Sequence, residues 1–398
     1  MKDPGGGVPA FCSPLRDTKV PGPTTDTGVF MRTPRTPLPT LALLTLLSSA
    51  VTACGGGSGN NNPPPTGPQP NACIKLDVTS GTTLTAQEGK VVVNFRVLDC
   101  LDRPLATSVP ENAFEIFERD RRISSESQLK IVPEPKHFAS YSVLLLDVSG
   151  SMSQQLPGLV ESAARFIRIL IPEGTAPEAT VHRIAIYAFD GEIKKLSDFS
   201  ADANALIGTT LAKIRDEQSC KANLICQDSR TRLNGALMQG IGDVKAARDA
   251  GKSAGLDFTT ASVVLFTDGR DTINVPTEAE AQEAVNKSDA NIFAIGLKGA
   301  DMDTQSVKSL QGFGKSGFGL AEKLEDLGSK FESIAGNIRN ISNSYFQLRY
   351  CSPLESNRNK LTIKVSHEGV TAQKDLTFDV ARSVGGICSV DSGGTGTP

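Results

Sequence analysis

Ser142-Val143-Leu144-Leu145-Leu146-Asp147-Val148-Ser149-Gly150-Ser151 is the stretch whose reading decides the fold. Its first half is a short, continuous apolar run. Such a run marks a strand buried on both faces of a parallel sheet. It stops at an acid and two hydroxyls. Beyond it, Leu159, Ala163, Phe166, Ile167 and Leu170 recur at helical spacing. Strand, polar loop and helix in that order form the crevice where open α/β sheets bind ligands.

The same alternation continues outward. Ile184-Ala185-Ile186-Tyr187-Ala188-Phe189 reads as a central strand, followed by an edge hairpin near 192–196. Val263-Val264-Leu265-Phe266-Thr267-Asp268-Gly269 is a second buried strand ending in an acid. A helix is expected around 278–288, then a strand at Ile292-Phe293-Ala294-Ile295-Gly296-Leu297. A last short strand falls at 316–321 and a last helix at 324–341. Strands alternating with helices give an α/β class with a doubly wound, mostly parallel sheet.

Asp-x-Ser-x-Ser at the end of a first buried strand resembles the metal-ion-dependent adhesion site of von Willebrand factor A domains and integrin I domains. Thr231-Arg232-Leu233-Asn234-Gly235-Ala236-Leu237 resembles the family's second loop, where a Thr begins a helix. Asp268 stands where the family's third loop has its Asp. The resemblance covers roughly residues 139–343. It implies a divalent ion, Mg2+ with Mn2+ or Ca2+ as substitutes, held by Asp147, Ser149, Ser151, Thr231 and Asp268.

The donor chemistry is coherent in its own right. Mg2+ is hard, prefers oxygen and keeps several waters. Two carboxylates against a dication leave little excess negative charge, so an acidic group of a partner can complete the shell. The competing reading is that Asp147 and Ser149 cap the following helix.

The flanks read differently. Val91, Val93, Phe95 and Val97 alternate with polar or outward positions, and so do the stretches 346–350, 361–365 and 376–380. These are half-buried antiparallel strands. Each flank alone would bury little. Residues 72–138 and 344–390 are therefore expected to pair into one β-sandwich with the α/β domain inserted between them. Two separate β-appendages are the alternative.

The N-terminal region is a leader and tether. Arg32 and Arg35 follow Met31 with no acid nearby. An apolar stretch at 38–51 ends in Val51-Thr52-Ala53-Cys54. Basic start, apolar middle and small residues before the cut are the parts of an export signal. The ending resembles a bacterial lipobox, which implies lipidation of Cys54 and anchoring in the cell envelope. An ordinary signal peptide is the alternative. Gly55-Gly56-Gly57-Ser58-Gly59, three Asn and Pro63-Pro64-Pro65 supply reach and extension to residue 71. Gly55 after the Cys, where an Asp commonly retains lipoproteins at the inner membrane, favours the outer one. Residues 1–30 lack periodicity and read as an upstream extension whose true start is Met31. Residues 391–398 read as a disordered tail.

Eight Cys without a Cys-x-x-Cys point to disulfides in an oxidising compartment. With Cys12 and Cys54 set aside, Cys220 and Cys226 bracket the loop leading to Thr231 and are expected to pair. The other four allow three connectivities. Cys73–Cys100 and Cys351–Cys388 are preferred, since each pair lies at one end of adjacent strands.

The chain has 39% hydrophobic and 21% charged residues and a formal net charge of −3. No clustered basic excess suits nucleic acid. Gly251-Lys252-Ser253-Ala254-Gly255 matches a nucleophile elbow but reads as a loop after a helix, against the strand that motif needs. Gly314-Lys315-Ser316 lacks the earlier Gly of a phosphate loop. Asp301-Met302-Asp303 lacks the Gly and Glu of a calcium loop. His137, His182 and His367 are the chain's histidines. None lies near Ser149, so nucleophilic catalysis has no base there. The expectation is a non-enzymatic binding protein that grips an acidic side chain of a protein, or a glycan, through the metal. The alternative is an envelope scaffold that binds without metal.

Overall fold

The computed structural model describes residues 73–390 apart from 79–84, 88, 125–126, 128, 133–137, 300–301, 354–357, 382–387 and 389. The export signal, Cys54, the tether, residues 1–30 and 391–398, Cys12 and His137 lie outside the described residues. No helix among the described residues is long and apolar enough to cross a membrane.

The strands of the first flank are β1 (Ile74–Val78), β2 (Thr85–Gln87), β3 (Lys90–Asp99), β4 (Phe114–Glu118), β5 (Arg121–Arg122) and β6 (Lys130–Val132). The α/β unit holds β7 (Phe138–Asp147), β8 (His182–Phe189), β9 (Ile193–Ser200), β10 (Phe258–Thr267), β11 (Asn291–Leu297) and β12 (Gly317–Ala321). Its helices are α1 (Leu156–Leu170), α2 (Glu217–Ala222), α3 (Leu233–Ser253), α4 (Glu278–Lys287), α5 (Thr304–Phe313) and α6 (Leu324–Asn343). The second flank adds β13 (Tyr345–Cys351), β14 (Asn359–His367) and β15 (Val370–Ala381).

The α/β unit is one six-stranded sheet in the order β12-β11-β10-β7-β8-β9. All neighbours are parallel except the β8–β9 edge hairpin. The apolar runs are buried on both faces because helices cover both. Leu144, Leu146, Ile184 and Ile186 pack with Leu159, Phe166, Leu327 and Phe331 of α1 and α6. Val143, Leu145, Val263 and Leu265 pack with Leu237 and Val244 of α3 and Leu310 of α5. Two close approaches bring helices down. A side-chain carbon on Gly240 would sit 3.0 Å from Leu145 on the sheet, and one on Gly158 of α1 would sit 2.8 Å from Leu324 of α6.

The flanks are joined. β13 lies antiparallel between β3 and β6, while β14 lies between β4 and β15, and β15 pairs with β2. β3 and β4 have β15, β2 and β14 between them in the pairing order. Yet the Phe95 and Phe114 rings meet edge to face at 5.7 Å, and Phe114 meets Phe346 at 5.0 Å. The paired strands therefore fold over, and both halves bury one core of Val93, Phe95, Ile116, Leu348, Ile363 and Val365. Disulfides Cys73–Cys100 and Cys351–Cys388 lie in this β unit, and Cys220–Cys226 lies in the α/β unit.

The chain enters the α/β unit at Phe138 and leaves it at Tyr345. Their rings stack at 5.3 Å, and Phe258 at the foot of β10 packs edge-on against Tyr345 at 5.0 Å. Gln347 donates to both Asn94 and Asp257 at 2.8 Å. This clasp sits at the amino ends of β7 and β10, opposite the ends that carry Asp147 and Asp268.

One local reading is corrected, and the dismissal of an ion loop at Asp303 gains a structural reason. Gly251–Ser253 is not loop: it forms the last residues of α3, and the turn begins at Ala254. Asp303 belongs to no ion loop; its carboxylate caps α5, accepting from the Ser306 N–H at 2.7 Å.

Candidate metal centre

Register places the site. β7 and β10 run in parallel with Leu146 opposite Phe266. The next residues on each strand, Asp147 and Thr267, therefore emerge abreast, with Asp268 just beyond. Asp147 is fully buried. Its Oδ1 accepts from the Ser149 N–H at 2.9 Å, and its Oδ2 accepts from the Thr267 hydroxyl at 2.5 Å. Ser151 donates to Asp268 Oδ1 at 2.9 Å, and the Ser149 and Ser151 hydroxyls lie 3.3 Å apart. Four of the five sequence-derived residues are thus joined in one cluster.

Thr231 arrives on the second loop. The Gly150 N–H reaches the Ser229 carbonyl at 3.4 Å, which lays this loop against the first. Thr231 is buried, and its backbone is zipped to the third loop: its N–H donates to the Thr272 hydroxyl at 2.8 Å and its carbonyl accepts from the Thr272 N–H at 2.9 Å.

The capping alternative for Asp147 and Ser149 does not match this geometry. A 3-10 turn, Gly150–Met152, intervenes, and α1 starts only at Leu156 with Gln155 before it and no side-chain cap. Asp147 instead makes a local turn with Ser149 and holds Thr267.

Burial, then the neighbouring charge of Asp268, pushes the Asp147 carboxyl up to about 7, against the hydrogen bonds from Thr267 and Ser149. A buried carboxyl beside a second acid is a site where a dication would relieve both desolvation and repulsion. Two carboxylates and three hydroxyls are an all-oxygen, hard donor set that fits Mg2+. Among the described residues, no group of three or more His, Cys, Asp or Glu is placed to hold a metal. This set differs in kind, since hydroxyls make up most of it.

Sequence reasoning passed over the residues that hold this set. Thr267 orients Asp147. Asp190 directly follows β8, much as Asp147 closes β7, and is buried. Its carboxylate accepts from the N–H groups of Glu192, Gln227 and Asp228, pinning the loop that leads to Thr231. Asp271 accepts from the Asn234 N–H at 2.7 Å, at the start of α3. The signal was present: an acid follows the apolar run of three adjacent strands, directly on β7 and β8 and one residue later on β10. The other histidines stand apart. His182 is buried at the foot of β8, where burial and the Arg339 charge bring it down to about 4. His367 lies within hydrogen-bond distance of Thr107 in the β unit.

Sheet order, one antiparallel edge and three loops meeting over Asp147 decide the matter. The α/β unit has the von Willebrand factor A fold. No family model matches the sequence, and no curated protein matches it. Solved structures give distant likenesses. The von Willebrand domain of the type V pili tip protein Mfa5 from Porphyromonas gingivalis is 17% identical, over 51% of this chain and 96% of that one, at a TM-score of 0.37. A von Willebrand factor type A protein from Catenulispora acidiphila is 11% identical over 80% and 76%, at 0.38. Proximal thread matrix protein 1 from the mussel byssus is 15% identical over 56% and 49%, at 0.37. This chain thus spans about half the length of the mussel protein.

Proposed function

We propose that this chain is an envelope-anchored, non-enzymatic binding protein whose A domain holds a divalent cation and engages a partner through it. Asp147, Ser149, Ser151, Thr231 and Asp268 would hold Mg2+, with Mn2+ or Ca2+ able to replace it. The ion would leave room for a hard anionic oxygen, supplied by an acidic side chain of a protein or by a glycan. The observation that carries this reading is the wholly buried Asp147 carboxyl set beside Asp268 at adjacent strand ends.

Calorimetry on the purified chain tests it. Mg2+ and Mn2+ should give saturable heats that Asp147→Ala abolishes. Equal heats from both proteins, or none from either, would sink the metal reading. One observation favours a second reading, an assembly scaffold that binds without metal: the hydroxyls of Ser151 and Thr267 already satisfy the two carboxylates. A partner pulled from native envelopes equally well with and without EDTA would establish that scaffold instead.

Anchoring would run through lipid on Cys54, with the outer membrane the expected site. Cys54→Ser should release the protein into the soluble fraction. Retention in membranes would mean another anchor.

A further inference from the structure

The amino ends of the A-domain strands carry a polar patch that plays no part in the candidate metal centre. Ser140 and Ser142 of β7 lie opposite Thr260 and Ser262 of β10, and His182 of β8 lies opposite Ser140 on the other side. Alternate residues of a strand share a face. These five therefore point to the face where Leu144, Leu146, Ile184, Val264 and Phe266 pack with α1 and α6. The apolar layers nearer the carboxyl ends give way at the foot to two layers of hydroxyls. Neighbouring strands lie about 4.8 Å apart and alternate residues about 6.6 Å apart, so the four hydroxyls share a patch of roughly that size.

All five residues are more than nine-tenths buried. Yet the hydroxyls of Ser140, Ser142, Thr260 and Ser262 and Nδ1 of His182 have no hydrogen-bond partner among the described residues. A buried hydroxyl left bare is costly, and four side by side compound the cost. The end of α6 lies close by. The charge of Arg339 on α6 acts on His182, and Tyr345, just past the helix, stacks on Phe138 at the first residue of β7. Asn291 of β11 lies opposite Ser262 and is only half-buried, so the patch extends toward solvent on that side.

The donor set selects the occupant. The patch has no carboxylate to balance a cation. Burial and Arg339 bring His182 down to about 4, so its ring is neutral and offers an anion no charge, and Arg339 itself stays in solvent. An ion would give up its hydration here without an opposing buried charge. Hydroxyls and a neutral imidazole both donate and accept. That mixed, neutral set suits water, which makes about three hydrogen bonds at a buried site.

We propose that the foot of the A-domain sheet is a binding site for a small cluster of ordered water, held by Ser140, Ser142, Thr260, Ser262 and His182 beside the end of α6. Oxygen-17 relaxation dispersion of the solvent, which detects water held longer than the protein tumbles, tests it on the purified chain in EDTA. The combined variant Ser142→Ala, Thr260→Val, Ser262→Ala should lose amplitude equivalent to at least one water. Ser142→Ala and Ser262→Ala made singly keep the test open if the combined variant does not fold. Each single change should also lower the melting temperature by about 2–4 °C, as loss of one hydrogen bond does. Equal amplitudes from the wild type and every folded variant would overturn the proposal. So would higher melting temperatures in the single variants, the mark of hydroxyls that were bare. Chloride or phosphate that raises the melting temperature of the wild type but not of the variants would replace water by an anion and overturn it too. Where the melts do not move, the amplitude decides.

Discussion

At the scale of single residues, Asp147 sets the terms. Its carboxyl stands near 7 in the folded chain, against about 3.9 for an unperturbed Asp. Without metal, the folded state therefore favours the protonated form. That contribution to stability is fully present below the unfolded value and is lost as pH rises through about 7. Melts in EDTA should show stability falling from about pH 4 to 7 with a slope of up to about 1.4 kcal/mol per pH unit from this group. Asp147→Asn should flatten that slope, and an unchanged slope would assign the titration elsewhere. With Mg2+ the sign reverses, because the ion competes with the proton. Affinity should rise with pH up to about 7, with proton release in calorimetry that depends on buffer. Thr231 differs. Its backbone, not its hydroxyl, carries the zipper to Thr272. Thr231→Ala should leave the melting temperature in EDTA nearly unchanged while weakening Mg2+. Asp268→Ala, which removes a charge, should weaken it more. The reverse order in calorimetry would contradict the assigned roles.

At the scale of elements, packing explains what could be read from sequence. β7, β8, β10 and β11 are covered on both faces, so their residues form unbroken apolar runs and stand out. Asp147, Ser149, Ser151 and Asp268 stood out too, because strand ends punctuate those runs; Thr231, just before α3, came from the resemblance of its loop to the family's second loop. α5 was missed: only Ser306, Leu310 and Phe313 of its ten residues are buried, too sparse a stripe to reveal a helix. The 205–214 segment, a π-helical turn running into a 3-10 turn, has no regular period to find. Thr267 was missed because its hold on Asp147 depends on register between strands rather than on spacing along one, while Asp190 carried a visible signal, an acid after an apolar run, whose loop contacts spacing does not show. The contact of α1 with α6 gives a test of the packing. Gly158 admits Leu324 so closely that Gly158→Leu must drive the two helices apart. Overpacking of this sort costs about 1–3 kcal/mol. Denaturant unfolding should show a loss of that size, and a neutral result would mean that α6 shifts freely.

At the scale of the whole molecule, the β unit is assembled from chain segments on both sides of the A domain. β3 cannot pair with β13 until everything between them has been synthesised, so long-range contacts must close late. The three C-terminal strands supply Phe346, Leu348, Tyr350, Leu361, Ile363, Val365, Phe378 and Val380 to the shared core. Ending the chain at Asn343 should therefore unfold the N-terminal strands as well. The expected result is strong binding of a hydrophobic dye and rapid proteolysis of residues 73–132, while the A-domain sheet keeps its own core. Protease resistance of that segment at the full-length level would show that the first flank is stable by itself.

The ring-to-ring clasp of Phe138 and Tyr345 has a genetic consequence. The polypeptide departs from the β unit and returns to it through one doorway. Viewed from the β unit, the A domain occupies the place of a single surface loop, and closing that loop demands no wide span. A recombination that exchanged the stretch between those two aromatics for another domain with neighbouring ends would leave the host strands in register. The α/β unit is thus a cassette, replaceable without redesign of the body that carries it.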